Sequence, residues 1–158
     1  MANETFAPEE VARWTRHFAV ECNNRAWRLA EARTRTAGED EEMLHAAHAA
    51  AYHWSKVGTE LHQARAAMLL GHVHALLGRG ASAMAYARQS FAFVTSRDSP
   101  PWEVAFAHAI LANAAAAARD RELHAKHYAM AKDLGAALAD AEEREIFDAT
   151  IRAVPAPS

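Results

Sequence analysis

Cysteine occurs once, at Cys22, so no intramolecular disulfide can staple the fold, and a lone thiol fits a reducing compartment. Six glycines and five prolines in 158 residues are too few for a low-complexity chain, and most sit at candidate helix ends. Basic charge is not in excess. Seventeen Lys and Arg face twenty Asp and Glu, a net charge of −3 with neutral histidines, which gives no footprint for nucleic acid. Long apolar runs are missing as well. The longest weakly polar stretch, Ala105–Ala118, is alanine-rich and interrupted by His108 and Asn113, too short and mild for a membrane span. The opening Met1–Glu10 is polar and acidic, without the basic and apolar regions of a signal peptide. These absences predict a cytoplasmic chain that avoids nucleic acid and membrane. Phosphate loops, nucleophile elbows and kinase signatures are likewise not found, and no cofactor is expected.

What is present is alanine. It dominates the 51% of hydrophobic residues, and it is the strongest helix former and poor strand material. The expected class is all-α. Pro8 followed by Glu9 and Glu10 suits a helix start. Val11, Trp14, Phe18, Cys22, Ala26 and Leu29 then recur at helical spacing, with Trp27 on a second face. Further helix openings are expected at the acidic run Glu39–Glu42 and after Thr59, Ser99, Asp120 and Asp140, and at Gly80–Ser82; Gly58 and Gly78 serve as stops. The expected layout is one domain over residues 1–154. It holds helical hairpins at about 8–57, 59–95 and 100–138, a final helix at about 140–153, and a disordered tail at 155–158.

The hairpins repeat. Gly38, Gly78 and Arg119 mark equivalent places about 40 residues apart. Counting from them aligns Met43, Ala83 and His124; Ala47, Ala87 and Tyr128; Ala50, Ser90 and Ala131; Ala30, Leu70 and Leu111; and Ala26, Ala66 and Ala107. Mostly small columns let helices approach closely and pairs stack. Ala67-x-x-Leu70-Gly71-x-x-His74, then Gly78 and Ala83, resembles the tetratricopeptide repeat. Leu70, Gly71, Gly78 and Ala83 match its pattern, while Ala67, His74 and Ala87 stand where it has aromatics. The chain is also similar in length and helix layout to certain bacterial proteins of unknown function. The resemblance implies a right-handed stack of three antiparallel α-hairpins closed by a C-terminal capping helix. It also implies a concave face, lined by the first helix of each pair, that binds a peptide or protein partner.

On that face the repeat alignment places Arg28 in the first pair, Arg65, Met68 and His72 in the second, and Phe106 and Asn113 in the third. Arginine forks suit carboxylates and asparagine suits a peptide amide, so the expected ligand is an acidic or C-terminal peptide segment. Self-association is a further expectation, and Trp102, after two prolines, is either an anchor for a partner or the cover of the core's end. The alternative is a small-molecule or metal-binding helical protein, or an enzyme, built on ten histidines. His45 with His48 and His124 with His127 share helix faces, but zinc usually takes three protein ligands. Arg65/His72, Arg119/His124 and Arg121/His127 resemble the Arg…His motif of HEPN-type nucleases. About three such pairs arise by chance from this composition, so they carry no weight. Cys22 reads as a small apolar residue on the α-helical stripe.

Overall fold

The computed structural model describes residues 6–158. Residues 1–5, part of the opening segment read above for a signal peptide, lie outside the described residues. Seven helices and no strand are found among those described: α1 (Pro8–Ala30), α2 (Ala37–Val57), α3 (Glu60–Leu76), α4 (Gly80–Thr95), α5 (Pro101–Ala117), α6 (Arg121–Ala136) and α7 (Ala141–Ile151). No described helix is long and apolar enough to cross a membrane.

The helix ends follow local chemistry. The carboxylates of Asp120 and Asp140 accept the N–H groups of Leu123 and Glu143 at 3.0 and 2.9 Å, closing the first turns of α6 and α7. The turn residues Gly78 and Arg119 both adopt positive φ, 70° and 63°. Each is followed by the same long closing bond: Arg79 N–H to His74 O at 2.8 Å, and Asp120 N–H to Ala115 O at 2.9 Å. Gly38 does not share this role. Thr36 caps α2, its hydroxyl accepting from Glu39 N–H at 3.2 Å, and Gly38 lies inside the first helical turn. Ser99 does not cap α5 either, because its hydroxyl turns back to donate to the Val94 carbonyl at 2.7 Å.

Packing is serial. The partners within each hairpin meet (α1 with α2, α3 with α4, α5 with α6), and α1, α3, α5 and α7 touch in succession as an inner row. The middle members of that row are enclosed: residues 66–75 of α3 and 105–115 of α5 are all buried, which suits helices apolar on every side. Five equivalent columns of the repeat are buried at every position except the half-buried Tyr128. Gly71 lets α3 and α4 approach closely, since a Cβ there would lie 3.0 Å from the Ala87 amide nitrogen, tighter than an ordinary contact. The tail is tethered at its start. Val154 is buried, and the Pro155 carbonyl lies 2.7 Å from His124 Nε2.

Candidate functional site

The inner row encloses a cavity of about 480 Å³. Its apolar lining is Trp27 from α1, Met68 from α3, Trp102 and Phe106 from α5, and Ile146 from α7. Phe106 is the floor. Trp27 and Trp102 meet it edge-on, with ring centroids at 6.4 and 5.9 Å and planes near 85° in both pairs, the arrangement aromatic quadrupoles prefer. The opposite wall is α7, held by Phe147, which is buried and packs edge-on against Phe106 at 5.7 Å. The last helix therefore turns into the face that the hairpins would otherwise leave open.

Few polar groups converge here. Arg65 is the single basic residue in the lining among the described residues. Its Nε donates to the buried Glu103 carboxylate at 2.7 Å, and its guanidinium lies 5.2 Å from the Trp102 ring centroid. Asn23, Glu31 and Glu143 complete the rim. Burial pushes the Glu31 carboxyl above its usual range, opposed by the charge of Arg152. Thr150 is buried in the α7 wall, and its hydroxyl has no hydrogen-bond partner among the described residues.

The sequence reading placed Arg65, Met68 and Phe106 on one face, and the structure brings these three together. The other three lie elsewhere. Arg28 lines a separate shallow cleft between α1 and α2, beside an Arg25 already paired with Glu42. His72 and Asn113 are buried beneath the cavity wall and bond each other, the Asn113 amide donating to His72 Nδ1 at 3.0 Å. The sequence alignment sets these two residues in one column, and their contact ties α3 to α5. His72 also stacks under Trp27 at 5.6 Å, so it supports a wall of the cavity from behind. Trp102, read from the sequence as either a partner anchor or a cover of the core's end, lies in the cavity lining; Trp27 and the α7 residues were missed. Trp27 carried a signal, as an aromatic off the main stripe of α1; nothing local marks α7.

The histidines pair across helices rather than along them. His48 Nε2 meets His74 Nε2 at 3.2 Å, and His108 Nδ1 meets His127 Nδ1 at 2.8 Å. His45 stays on the surface of α2, and His124 is engaged by the Pro155 carbonyl. Among the described residues no group of three or more His, Cys, Asp or Glu side chains is arranged to hold a metal. Burial first, then the charges of His127 and Lys126, depresses His108 to about 4. His127 is lowered by burial and Lys126. A neutral pair of this kind shares one proton between two ring nitrogens. Arg65 and His72 are likewise separated in role, one at the rim and one in the core. Cys22 is a half-buried free thiol, raised by burial and then by Glu21, packed beside Trp54 and Ala19.

Comparison with protein-family models, curated proteins and solved structures gives no match.

Proposed function

We propose that the chain is a non-enzymatic binding module. In this reading it is a right-handed, tetratricopeptide-like stack whose concave face takes an apolar side chain of a peptide or protein partner into the cavity. The observation that carries it is the cavity itself, lined from all four helices of the inner row and walled by two tryptophans, a phenylalanine and a methionine. Aromatic pockets of this kind hold the anchor residues of partners. The serial contacts and the buried repeat columns support the stack.

The charge around the cavity supports an apolar anchor more than an acidic one. Arg65 is already held by Glu103, while Glu31 and Glu143 share the rim. Recognition then rests on desolvation of the anchor, with the free edge of the Arg65 guanidinium available to a backbone carbonyl or chain-end carboxylate.

Ile146 gives the cleanest test, because it lines the cavity yet is about half exposed. A charge there spoils the pocket without breaking the core. Charge reversal at Arg65 is a poorer probe, since it strands the buried Glu103 carboxylate beside a second acid. Selection from a random peptide library displayed on phage should enrich sequences sharing a large apolar residue. Ile146→Arg should weaken those peptides by about tenfold or more, with the helical circular dichroism unchanged. No enrichment, or equal binding to Ile146→Arg, would remove the proposal.

One observation favours a second reading. The cavity volume lies within the roughly 300–1,000 Å³ of small-molecule sites, and α7 shortens the groove available to an extended chain. If the library yields nothing while the fluorescent probe anilinonaphthalene sulfonate binds the wild type and not Ile146→Arg, the site passes to that reading.

A further inference from the structure

The first three turns of α1 bury nothing. From Pro8 to Phe18 every side chain is exposed except the half-buried Thr15, and the helix enters the core only at Ala19. That stretch nonetheless carries Val11, Trp14 and Phe18, 51%, 49% and 48% exposed, at the spacing that puts them on one helix face. The aromatic surface continues onto α2. Trp14 stacks on Phe18 with centroids at 6.3 Å, Phe18 meets His53 at 6.0 Å, and His53 meets the exposed Tyr52 at 5.6 Å. Three helical turns gain little stability from propensity alone and usually rely on a packed apolar face. A contiguous exposed patch of this kind marks an interaction surface. It lies away from the residues lining the concave cavity.

We propose that this face binds the same face of a second copy of the chain, α1 lying antiparallel to α1 about a two-fold axis near Ala12. The order of charges selects that occupant. Glu10 precedes Arg13 by three residues, about one helical turn. An antiparallel pairing about Ala12 sets Glu10 of each copy against Arg13 of the other, twice over, while Val11 and Trp14 meet at the centre. A two-fold contact must be self-complementary, and this pattern is; a partner of single charge sign would match only half of it. Arg13, whose guanidinium lies 5.5 Å from its own Trp14 ring centroid, has no carboxylate partner among the described residues. Arg16 already donates to the Val57 carbonyl at 3.0 Å, which leaves Arg13 as the freer cation. Trp14, Phe18 and Tyr52 are 49%, 48% and 62% exposed, so at about 150–250 Å² per aromatic side chain two copies bring about 600 of the roughly 1,000 Å² that a specific interface needs, and Val11 with the flanking charges adds to it.

Sedimentation velocity on the full chain tests this across the micromolar range. The expected species has twice the 17.3 kDa chain mass. Trp14→Glu should leave a monomer with unchanged helical circular dichroism. Glu10→Arg and Arg13→Glu, both at exposed positions, should each weaken self-association by about tenfold or more, and an equimolar mixture of the two should restore the dimer. A wild type that stays monomeric throughout overturns the proposal. So does a dimer indifferent to Trp14→Glu, or a mixture that fails to re-associate. Ile146→Arg, in the cavity, should leave the dimer intact, so loss of peptide binding and loss of self-association separate cleanly.

Discussion

Arg119 occupies the left-handed region at φ 63°, where its structural equivalent is Gly78 at φ 70°. A side chain with a Cβ costs about 1–2 kcal/mol in that conformation, and glycine costs entropy in the unfolded chain. Arg119→Gly should therefore stabilise the protein by about 0.5–1 kcal/mol, read as a shift of the urea midpoint; a destabilised variant would show that the Arg119 side chain has a structural role of its own. The buried histidines give a second expectation. His72 is fully buried and is depressed from 6.5 to about 4 by that burial and then by Arg35. Because the folded values of His72, His108 and His127 lie below the ordinary one, the unfolded chain binds more protons in this range. The stability they contribute is whole above about pH 6.5 and is lost as pH falls toward about 4. Between about pH 6.5 and about pH 5, above most carboxylate titration, the loss should be about 1–2 kcal/mol for a fully buried histidine. Urea unfolding across that window checks it: a flat profile contradicts the burial of the rings, and replacing both His108 and His127 with Phe should reduce the slope.

Among the elements, α7 is the one on which the site depends. Its hold is the Phe147 ring, which lies directly over Gly135 of α6, where any Cβ would overlap it, and which also meets Phe106. Phe147→Ala should cost about 3–5 kcal/mol. Hydrogen exchange should speed up across residues 141–151 while α3 and α5 keep their protection; unchanged exchange in α7 would mean that another contact holds it. The helices themselves were legible from the sequence. Capping aspartates, prolines at first turns and apolar spacing are local signals, and they place Pro8, Gly80, Asp120 and Asp140 within a residue of the observed ends. Gly38 was misread because a glycine suggests a break, whereas the Thr36–Glu39 reciprocal cap starts the helix ahead of it. Gly135, inside α6, is a place where an aromatic ring needs the absence of a side chain.

For the whole molecule, an interval of about 40 residues aligns helices along the sequence but does not say which of their residues see solvent. Met68 and Phe106 line the cavity, yet His72 and Asn113, on the same helices and placed on the same face by the sequence, are buried and joined to one another. The difference is a rotation of a few residues around α3 and α5, helices whose all-round apolar character erases the periodic signal that would have oriented them. The return of α7 is a tertiary event, invisible to local pattern, and it turns an expected open groove into a walled cavity. The histidine pairs escaped for a related reason: neighbours along one helix can be read from spacing, whereas His48–His74 and His108–His127 meet across helices.

The four tryptophans report on this arrangement separately. Trp27 and Trp102 line the cavity, Trp54 is buried in the first hairpin, and Trp14 is exposed on α1. The most direct measurement is a ¹H–¹⁵N spectrum of their indole N–H signals during titration with a library-selected peptide. The signals of Trp27 and Trp102 should move together and saturate, while those of Trp54 and Trp14 stay in place. Movement confined to Trp14, or saturation with Trp27 and Trp102 unmoved, would contradict ligand capture by the inner row.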